Sequence, residues 1–352
     1  MTAFSRQALA ALLGGVLALA TASSQAANMS GAGATFPYPV YAKWAEAYKA
    51  QTGNSLNYQS IGSGGGIKQI QAKTVTFGAS DMPLTPEDLD KSGLLQWPMI
   101  MGGVVPVINI KGIEAGKLKL DGPTLAKIYM GEIKSWNDAA IAKLNPDLKL
   151  PSTAIAPVYR SDGSGTNFLF TDYLSKVSPE FKTKIGSNTS VQWPVGLGGK
   201  GNEGVAALTS RTEGAIGYVE YAYVKQSKMK YALLQNAAGK FVAPESEAFK
   251  AAAANANWET APGFREILTN EPGDKSWPIT GASFILMHKQ VDNADVAKAA
   301  LDFFAWAYKN GDKMAEELDY VPMPDNVVKL VEAKWKDIKG PNGQPIWTGS
   351  GS

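Results

Sequence analysis

The sequence predicts an α/β protein of two domains. Short apolar runs of strand length alternate with segments of helical periodicity along the whole chain. At 352 residues the chain is longer than one hydrophobic core ordinarily supports. Glycine- and serine-rich loops recur where a strand hands over to a helix, which is where open α/β sheets bind ligands.

The elements follow in order. Residues 31–39 form a Gly/Pro-rich loop, after which Val40, Trp44, Ala47 and Tyr48 recur at helical spacing. Residues 55–59 read as a strand, Gly62-Ser63-Gly64-Gly65-Gly66 as a loop, and Ile67-Lys68-Gln69-Ile70 as the start of a helix. Residues 75–79 read as a strand ending at Ser80-Asp81. Thr85-Pro86-Glu87-Asp88 has the order of an N-cap, a Pro at the first helical position and acids in the first turn. Residues 104–110 form a strong strand, with Pro106 pointing to an edge or a crossover. Residues 124–129 are a short helix closed by Gly131, and Trp136-Asn137-Asp138-Ala139 opens another. Ile155, Ala156 and Val158 mark a buried strand that leads into Arg160-Ser161-Asp162-Gly163-Ser164-Gly165-Thr166, and a helix with an apolar face follows from Asn167. Residues 215–219 and 284–287 are apolar strands. Residues 296–308 form an amphipathic helix with Gly311 as its C-cap, and Asp325 caps a last helix through Trp335. The alternation implies largely parallel sheets. Residues 347–352 read as a disordered tail.

The first 26 residues stand apart. Arg6 precedes an apolar run at residues 8–20, too short to span a bilayer, and Ser24-Gln25-Ala26 offers small residues for cleavage after Ala26. This is the pattern of a secretory signal peptide, and no Cys follows it to carry a lipid. Hydrophobic content of 45% and charged content of 19% are ordinary globular values. A net charge of +2, with no basic tract, excludes a nucleic-acid grip. Zero Cys and a single His, His288, exclude thiol chemistry and leave almost no room for metal or triad-type sites.

Three segments supply a hydroxyl and unpaired backbone N–H groups at a helix start: Ala34-Thr35-Phe36, Gly62-Ser63-Gly64-Gly65 and Ser164-Gly165-Thr166. Arg160 adds a planar, permanently charged fork that matches oxyanions. Each feature alone is also explained as a helix cap, a turn or a local Arg160–Asp162 pair. The residues by themselves therefore carry the reading as far as a small anion. Asp81, at a strand end facing the same cleft, repels an anion unless the ligand has a proton to donate. Phosphate at neutral pH has one and sulfate does not, so Asp81 selects by leaving a buried acceptor unpaired against the wrong ligand. As a local feature, Asp81 also fits a turn or cap before Pro83.

Seven stretches, in order, carry a family likeness. They are Gly31-Ala32-Gly33-Ala34-Thr35-Phe36-Pro37, Ile61-Gly62-Ser63-Gly64-Gly65-Gly66 and Phe77-Gly78-Ala79-Ser80-Asp81, then Gly131-Glu132-Ile133-Lys134-Ser135-Trp136-Asn137-Asp138, the Arg160 to Thr166 stretch, Gly196-Leu197-Gly198-Gly199-Lys200-Gly201, and Gly214-Ala215-Ile216-Gly217-Tyr218-Val219-Glu220-Tyr221. Together they resemble the periplasmic phosphate-binding proteins of the high-affinity phosphate ABC transporters, over residues 31–345. The resemblance implies a type II periplasmic-binding-protein fold: two lobes, a two-stranded hinge, and the ligand in the cleft. It places lobe I at residues 27–102 and 277–346 and lobe II at residues 103–276, with crossovers near Gly102-Gly103 and Trp277-Pro278-Ile279. It implies phosphate contacts from Thr35, Phe36, Ser63, Asp81, Arg160, Ser164, Gly165 and Thr166, with Asp162 holding Arg160. Gly64 stands where the family commonly has Ser, and Tyr159 precedes Arg160 where the family varies. The implied protein is a periplasmic monomer without a cofactor. It binds phosphate, does no chemistry on it, and docks on membrane permease subunits driven by their ATPase. Arsenate, which also carries a proton at neutral pH, is admitted by the same reasoning.

Other readings have less behind them. His288 ends an apolar run and reads as structural rather than as a general base. Ser227-Lys228-Met229-Lys230 has the spacing of a Ser-x-x-Lys nucleophile but lies in a polar loop. Gly196 to Gly201 lacks the Ser or Thr that must follow the Lys of a P-loop, and reads as a tight turn before a helix at residues 203–208. A third reading keeps the fold and changes the ligand to sulfate, molybdate or another oxyanion, with Asp81 as the discriminator.

Overall fold

The computed structural model describes residues 28–349. Twelve strands lie among them: β1 (Asn28–Gly33), β2 (Ser55–Ser60), β3 (Phe77–Ser80), β4 (Leu94–Asn109), β5 (Lys119–Leu120), β6 (Ala156–Arg160), β7 (Leu197–Gly199), β8 (Ala215–Glu220), β9 (Lys230–Tyr231), β10 (Leu233–Gln235), β11 (Phe241–Val242) and β12 (Thr280–His288). Nine of them form one sheet in the order β2-β1-β3-β12-β4-β8-β6-β7, with β9 beside β4, and a small sheet runs β11-β10-β5.

β4 organises the molecule. Its first part, Leu94 to Gly103, pairs antiparallel with β12, and its second part, Val104 to Asn109, pairs antiparallel with β8. One strand thus joins two groups, β2-β1-β3-β12 on one side and β8-β6-β7 on the other. Gly102 and Gly103 sit at the change of partner, opposite Gly281 and Thr280. The expectation of largely parallel sheets is corrected here. β1, β2 and β3 are parallel to one another, as are β6, β7 and β8, but β4 and β12, the two longest strands, run antiparallel to their neighbours. Pro106 is no edge residue, because β4 passes through the middle of the sheet and pairs Pro106 with Tyr218. The crossover alternative is the one that holds.

Each group closes over an aromatic core. Phe77, Trp97, Phe304 and Trp335 stack edge to face in the first, and Tyr129, Phe170 and Tyr218 cluster in the second. Thr85 caps the helix Pro86–Ser92 as expected, accepting from the Asp88 N–H. Two terminal expectations change. Pro324, not Asp325, occupies the N-cap of the helix Asp325–Lys334. Trp347 does not belong to a disordered tail: it is buried and packs edge to face on Trp335, with centroids 4.8 Å apart. Gly311 ends the helix Ala294–Asn310 at a right-handed φ of −91°, so turn conformation does not call for glycine there. A side chain would meet the Trp44 indole nitrogen at 2.5 Å. The signal segment at residues 1–26 and the end of the tail lie outside the described residues.

Candidate functional site

The strand ends and helix starts named from the sequence converge between the two groups. The Ser63 hydroxyl opens the helix Ser63–Gln71 and accepts two backbone N–H groups, from Asp81 at 3.1 Å and from Gly165 at 3.0 Å. The Gly64 N–H reaches the Gly163 carbonyl at 2.9 Å. Thr35, beyond β1, and Thr166, in the helix Gly165–Val177, both accept from the Asn202 side-chain amide, at 2.6 Å and 3.1 Å. The Thr35 carbonyl accepts from the Tyr223 hydroxyl, and the Phe36 carbonyl from the Tyr320 hydroxyl. Ser164 caps the helix, its hydroxyl accepting from the Asn167 N–H at 2.9 Å. Every predicted polar residue here is buried: Thr35, Ser63, Asp81, Arg160, Ser164 and Thr166.

Local sequence makes this approach possible. Gly62 has φ +87°, and a Cβ there would sit 2.4 Å from Asp162 Oδ2. A Cβ on Gly165 would stand 2.5 Å from both Cβ and Oδ2 of Asp81 and 2.6 Å from the Ser63 hydroxyl. Gly64 lies against Gly163: a Cβ on Gly64 would be 3.1 Å from the Gly163 Cα.

The charges are arranged unevenly. Arg160 is held from below by Asp162, with Nε to Oδ1 at 2.8 Å and Nη2 to Oδ2 at 2.6 Å. Burial alone would raise the Asp162 carboxyl, but the Arg160 guanidinium outweighs it and holds the group below the usual carboxylate range. The Gly201 N–H adds a bond to the same carboxylate at 3.1 Å. Arg160 Nη1 is left buried with no protein partner, and so are both carboxylate oxygens of Asp81. Burial outweighs the opposing pull of the nearby Ser283 hydroxyl, Arg160 and the Ser63 hydroxyl and leaves Asp81 raised to about 7. A buried unpaired donor and a buried unpaired acceptor are each costly, so their presence in one cradle points to a ligand that satisfies both. Such a ligand is an anion that carries a proton.

Four participants were not predicted. Asn202 links the two threonines, and its own oxygen accepts from the Glu220 N–H at 2.9 Å. Tyr218 positions Arg160, accepting from its backbone N–H at 3.0 Å and donating to Asn167 at 2.6 Å. Tyr223 and Tyr320 fix the carbonyls of Thr35 and Phe36. A signal for Asn202 was present. The stretch Gly196 to Gly201 is no simple turn: Leu197–Gly199 is a strand and Gly201–Arg211 a helix, making a fourth strand-to-helix junction. It bears no hydroxyl, so the pattern that marks the other three junctions does not mark this one.

Elsewhere the alternatives find little. His288 ends β12 and its Nε2 lies 2.7 Å from the Ile70 carbonyl, a structural bond. Among the described residues no group of three acidic, His or Cys side chains could hold a metal, and no helix is long and apolar enough to cross a membrane.

Comparison with known proteins agrees with this geometry. A family model for the PBP superfamily domain matches residues 18–310. The phosphate-binding protein PstS of Pasteurella multocida is 57% identical over 343 residues, covering 97% of this chain and 99% of that protein. The phosphate-binding protein PstS of Xylella fastidiosa (strain Temecula1) is 57% identical over 312 residues, covering 89% of this chain and 86% of that one. Among solved structures, a putative phosphate ABC transporter substrate-binding protein from Clostridium perfringens with bound phosphate superposes with a TM-score of 0.62. It covers 84% of this chain and all of that one, at 19% identity, a likeness that bears on the fold.

Proposed function

The chain belongs to the PBP superfamily and, within it, to the PstS phosphate-binding proteins, and from that premise we propose that it captures inorganic phosphate in the periplasm and delivers it to an ABC transporter for import. It binds and releases its ligand unchanged. The observation that carries this reading is the pair of unpaired buried groups, Arg160 Nη1 and the Asp81 carboxylate. Arg160 supplies the counter-charge. Thr35 and Phe36, Ser63, and Ser164 to Thr166 supply hydroxyl and backbone donors from three helix starts. Asp81 accepts the ligand's proton, which hydrogen phosphate has and sulfate lacks. Arsenate shares that proton and binds by the same contacts.

Lobe I comprises residues 27–102 and 277–346, and lobe II residues 103–276, meeting at Gly102-Gly103 and at Trp277 to Ile279. Contacts made from both lobes drive closure: Thr35, Phe36, Ser63 and Asp81 from one, Arg160 and Ser164 to Thr166 from the other. The protein works as a monomer, is exported by the signal peptide at residues 1–26, and carries no lipid. The closed form docks on the permease subunits of the transporter, whose ATPase drives import. Calorimetry of the phosphate-stripped protein with phosphate, arsenate and sulfate tests the reading. Phosphate and arsenate are expected to bind and sulfate to be rejected by at least a hundredfold. Equal binding of sulfate, or none of phosphate, overturns it.

A further inference from the structure

The Asn202 amide is buried, and all of its polar atoms are used. Its Oδ1 accepts from the Glu220 backbone N–H at 2.9 Å, which fixes the amide's orientation, since the reverse would set an N–H against an N–H. Nδ2 must then face the threonines, and it reaches Thr35 Oγ1 at 2.6 Å and Thr166 Oγ1 at 3.1 Å. The Asn202 backbone N–H also points at Thr35 Oγ1, at 3.2 Å. A hydroxyl oxygen accepts two hydrogen bonds and donates one. Thr35 therefore has both acceptor sites filled from behind, and its own proton can only be donated. The Thr166 hydroxyl has one acceptor site filled by the same amide.

We propose that Asn202 is a positioning residue that sets the polarity of the cradle, committing Thr35 as a donor and leaving Thr166 with one open acceptor site in place of two. It does not touch the ligand. It makes the Thr35 hydroxyl, which could otherwise accept a proton, present its hydrogen to a bare anion oxygen, and it biases the Thr166 hydroxyl the same way. The single ligand proton is then left for Asp81. The donor threonines and the acceptor carboxylate thus sort the four oxygens of hydrogen phosphate into bare and protonated. This inference rests on the phosphate reading above.

The test is calorimetry of phosphate-stripped parent, Asn202→Ala, Thr35→Val and the double variant, at pH 6 and pH 8, with thermal melts to check folding. Asn202→Ala is expected to weaken phosphate by ten- to a hundredfold. In the Thr35→Val background the same change should cost at least threefold less than in the parent, because only Thr166 is left for Asn202 to orient. The loss relative to parent should be larger at pH 8 than at pH 6, since freed hydroxyls can accept from the more protonated ligand. Asn202→Asp, which keeps the acceptor for Glu220 but draws the threonine protons away, should bind more weakly than Asn202→Ala. It also serves as the second variant if alanine does not fold. Full additivity with Thr35→Val, or a loss independent of pH, overturns the proposal. Failure of the parent itself to bind phosphate strikes at the phosphate reading instead.

Discussion

The Ser63 hydroxyl and the Gly165 amide meet across the cleft at 3.0 Å, and the space between Gly165 and Asp81 leaves no room for a methyl group. Closure of the two halves is therefore decided at a glycine. Gly165→Ala puts a Cβ 2.5 Å from the Asp81 side chain. Phosphate affinity is expected to fall at least a hundredfold, with the melting temperature of the ligand-free protein little changed. Small-angle scattering should show no compaction on adding phosphate. Normal compaction would contradict the packing described.

Asp81→Asn replaces a carboxylate that can only accept with a neutral amide that can turn its N–H groups toward a bare anion oxygen. Sulfate should compete appreciably better than against the parent, and unchanged sulfate rejection in a competition titration would rule out the role given to Asp81. The ligand-free variant should also be more stable than the parent at pH 8. Burial raises Asp81 to about 7, so its folded-state proton is held more tightly than in the unfolded chain. The corresponding stability is present below about pH 4 and is lost as pH rises through about 7, a difference on the order of a few kcal/mol. Chemical denaturation of both proteins at pH 5 and pH 8 reads it.

The same group predicts a pH-dependent selectivity. Above pH 7 the Asp81 carboxylate accepts; below it, the protonated group donates. The preference for phosphate over sulfate should shrink as the buffer is taken from pH 8 to pH 5.5, because sulfate then finds a donor where it met an acceptor. A preference that stays flat across this range would mean that Asp81 does not face the ligand.

Arg160→Ala and Thr166→Ala separate charge from hydrogen bonding. Losing one charge-assisted hydrogen bond costs roughly 1–3 kcal/mol. Thr166→Ala should fall in that range, and Arg160→Ala above it, because a buried anion then lacks its formal counter-charge. Equal and negligible changes in calorimetry would place the site elsewhere.

Trp347→Ala tests the end of the chain. Trp347 is buried against Trp335, which in turn packs on Trp97. The substitution should destabilise the protein by roughly 3–5 kcal/mol without changing phosphate affinity. An unaffected denaturation midpoint would mean that this packing contributes nothing.

The cradle was legible because its residues announce themselves locally. Thr35, Ser63, Arg160 and Thr166 sit at junctions whose glycines and hydroxyls have a stated purpose in one short stretch. Asn202, Tyr218 and Tyr223 act only through partners far away in sequence, such as Thr35 for Asn202 and for Tyr223, so no local pattern points to them. β4 shows only its second half in sequence for a similar reason. Gln96, Pro98 and the Gly102-Gly103 pair interrupt its apolar run, so an unbroken strand pattern starts only at residue 104. The Gln96 amide is satisfied by the Leu84 backbone and the Gly263 carbonyl, which lets a polar residue lie buried in a central strand. The direction of β4 and β12 is likewise set by tertiary pairing.

β4 runs unbroken through both halves of the molecule. The jaws therefore never diffuse apart, and the local concentration of one at the other is fixed by a strand of backbone rather than by a loop. Little association entropy is left for closure to overcome. A handful of cross-cleft bonds, such as Ser63 to Gly165, Gly64 to Gly163 and Thr35 to Asn202, then adds to the ligand's own contacts in the closed form. The balance between open and shut becomes sensitive to a single small ion, which is what a carrier that must both seize and surrender its cargo requires.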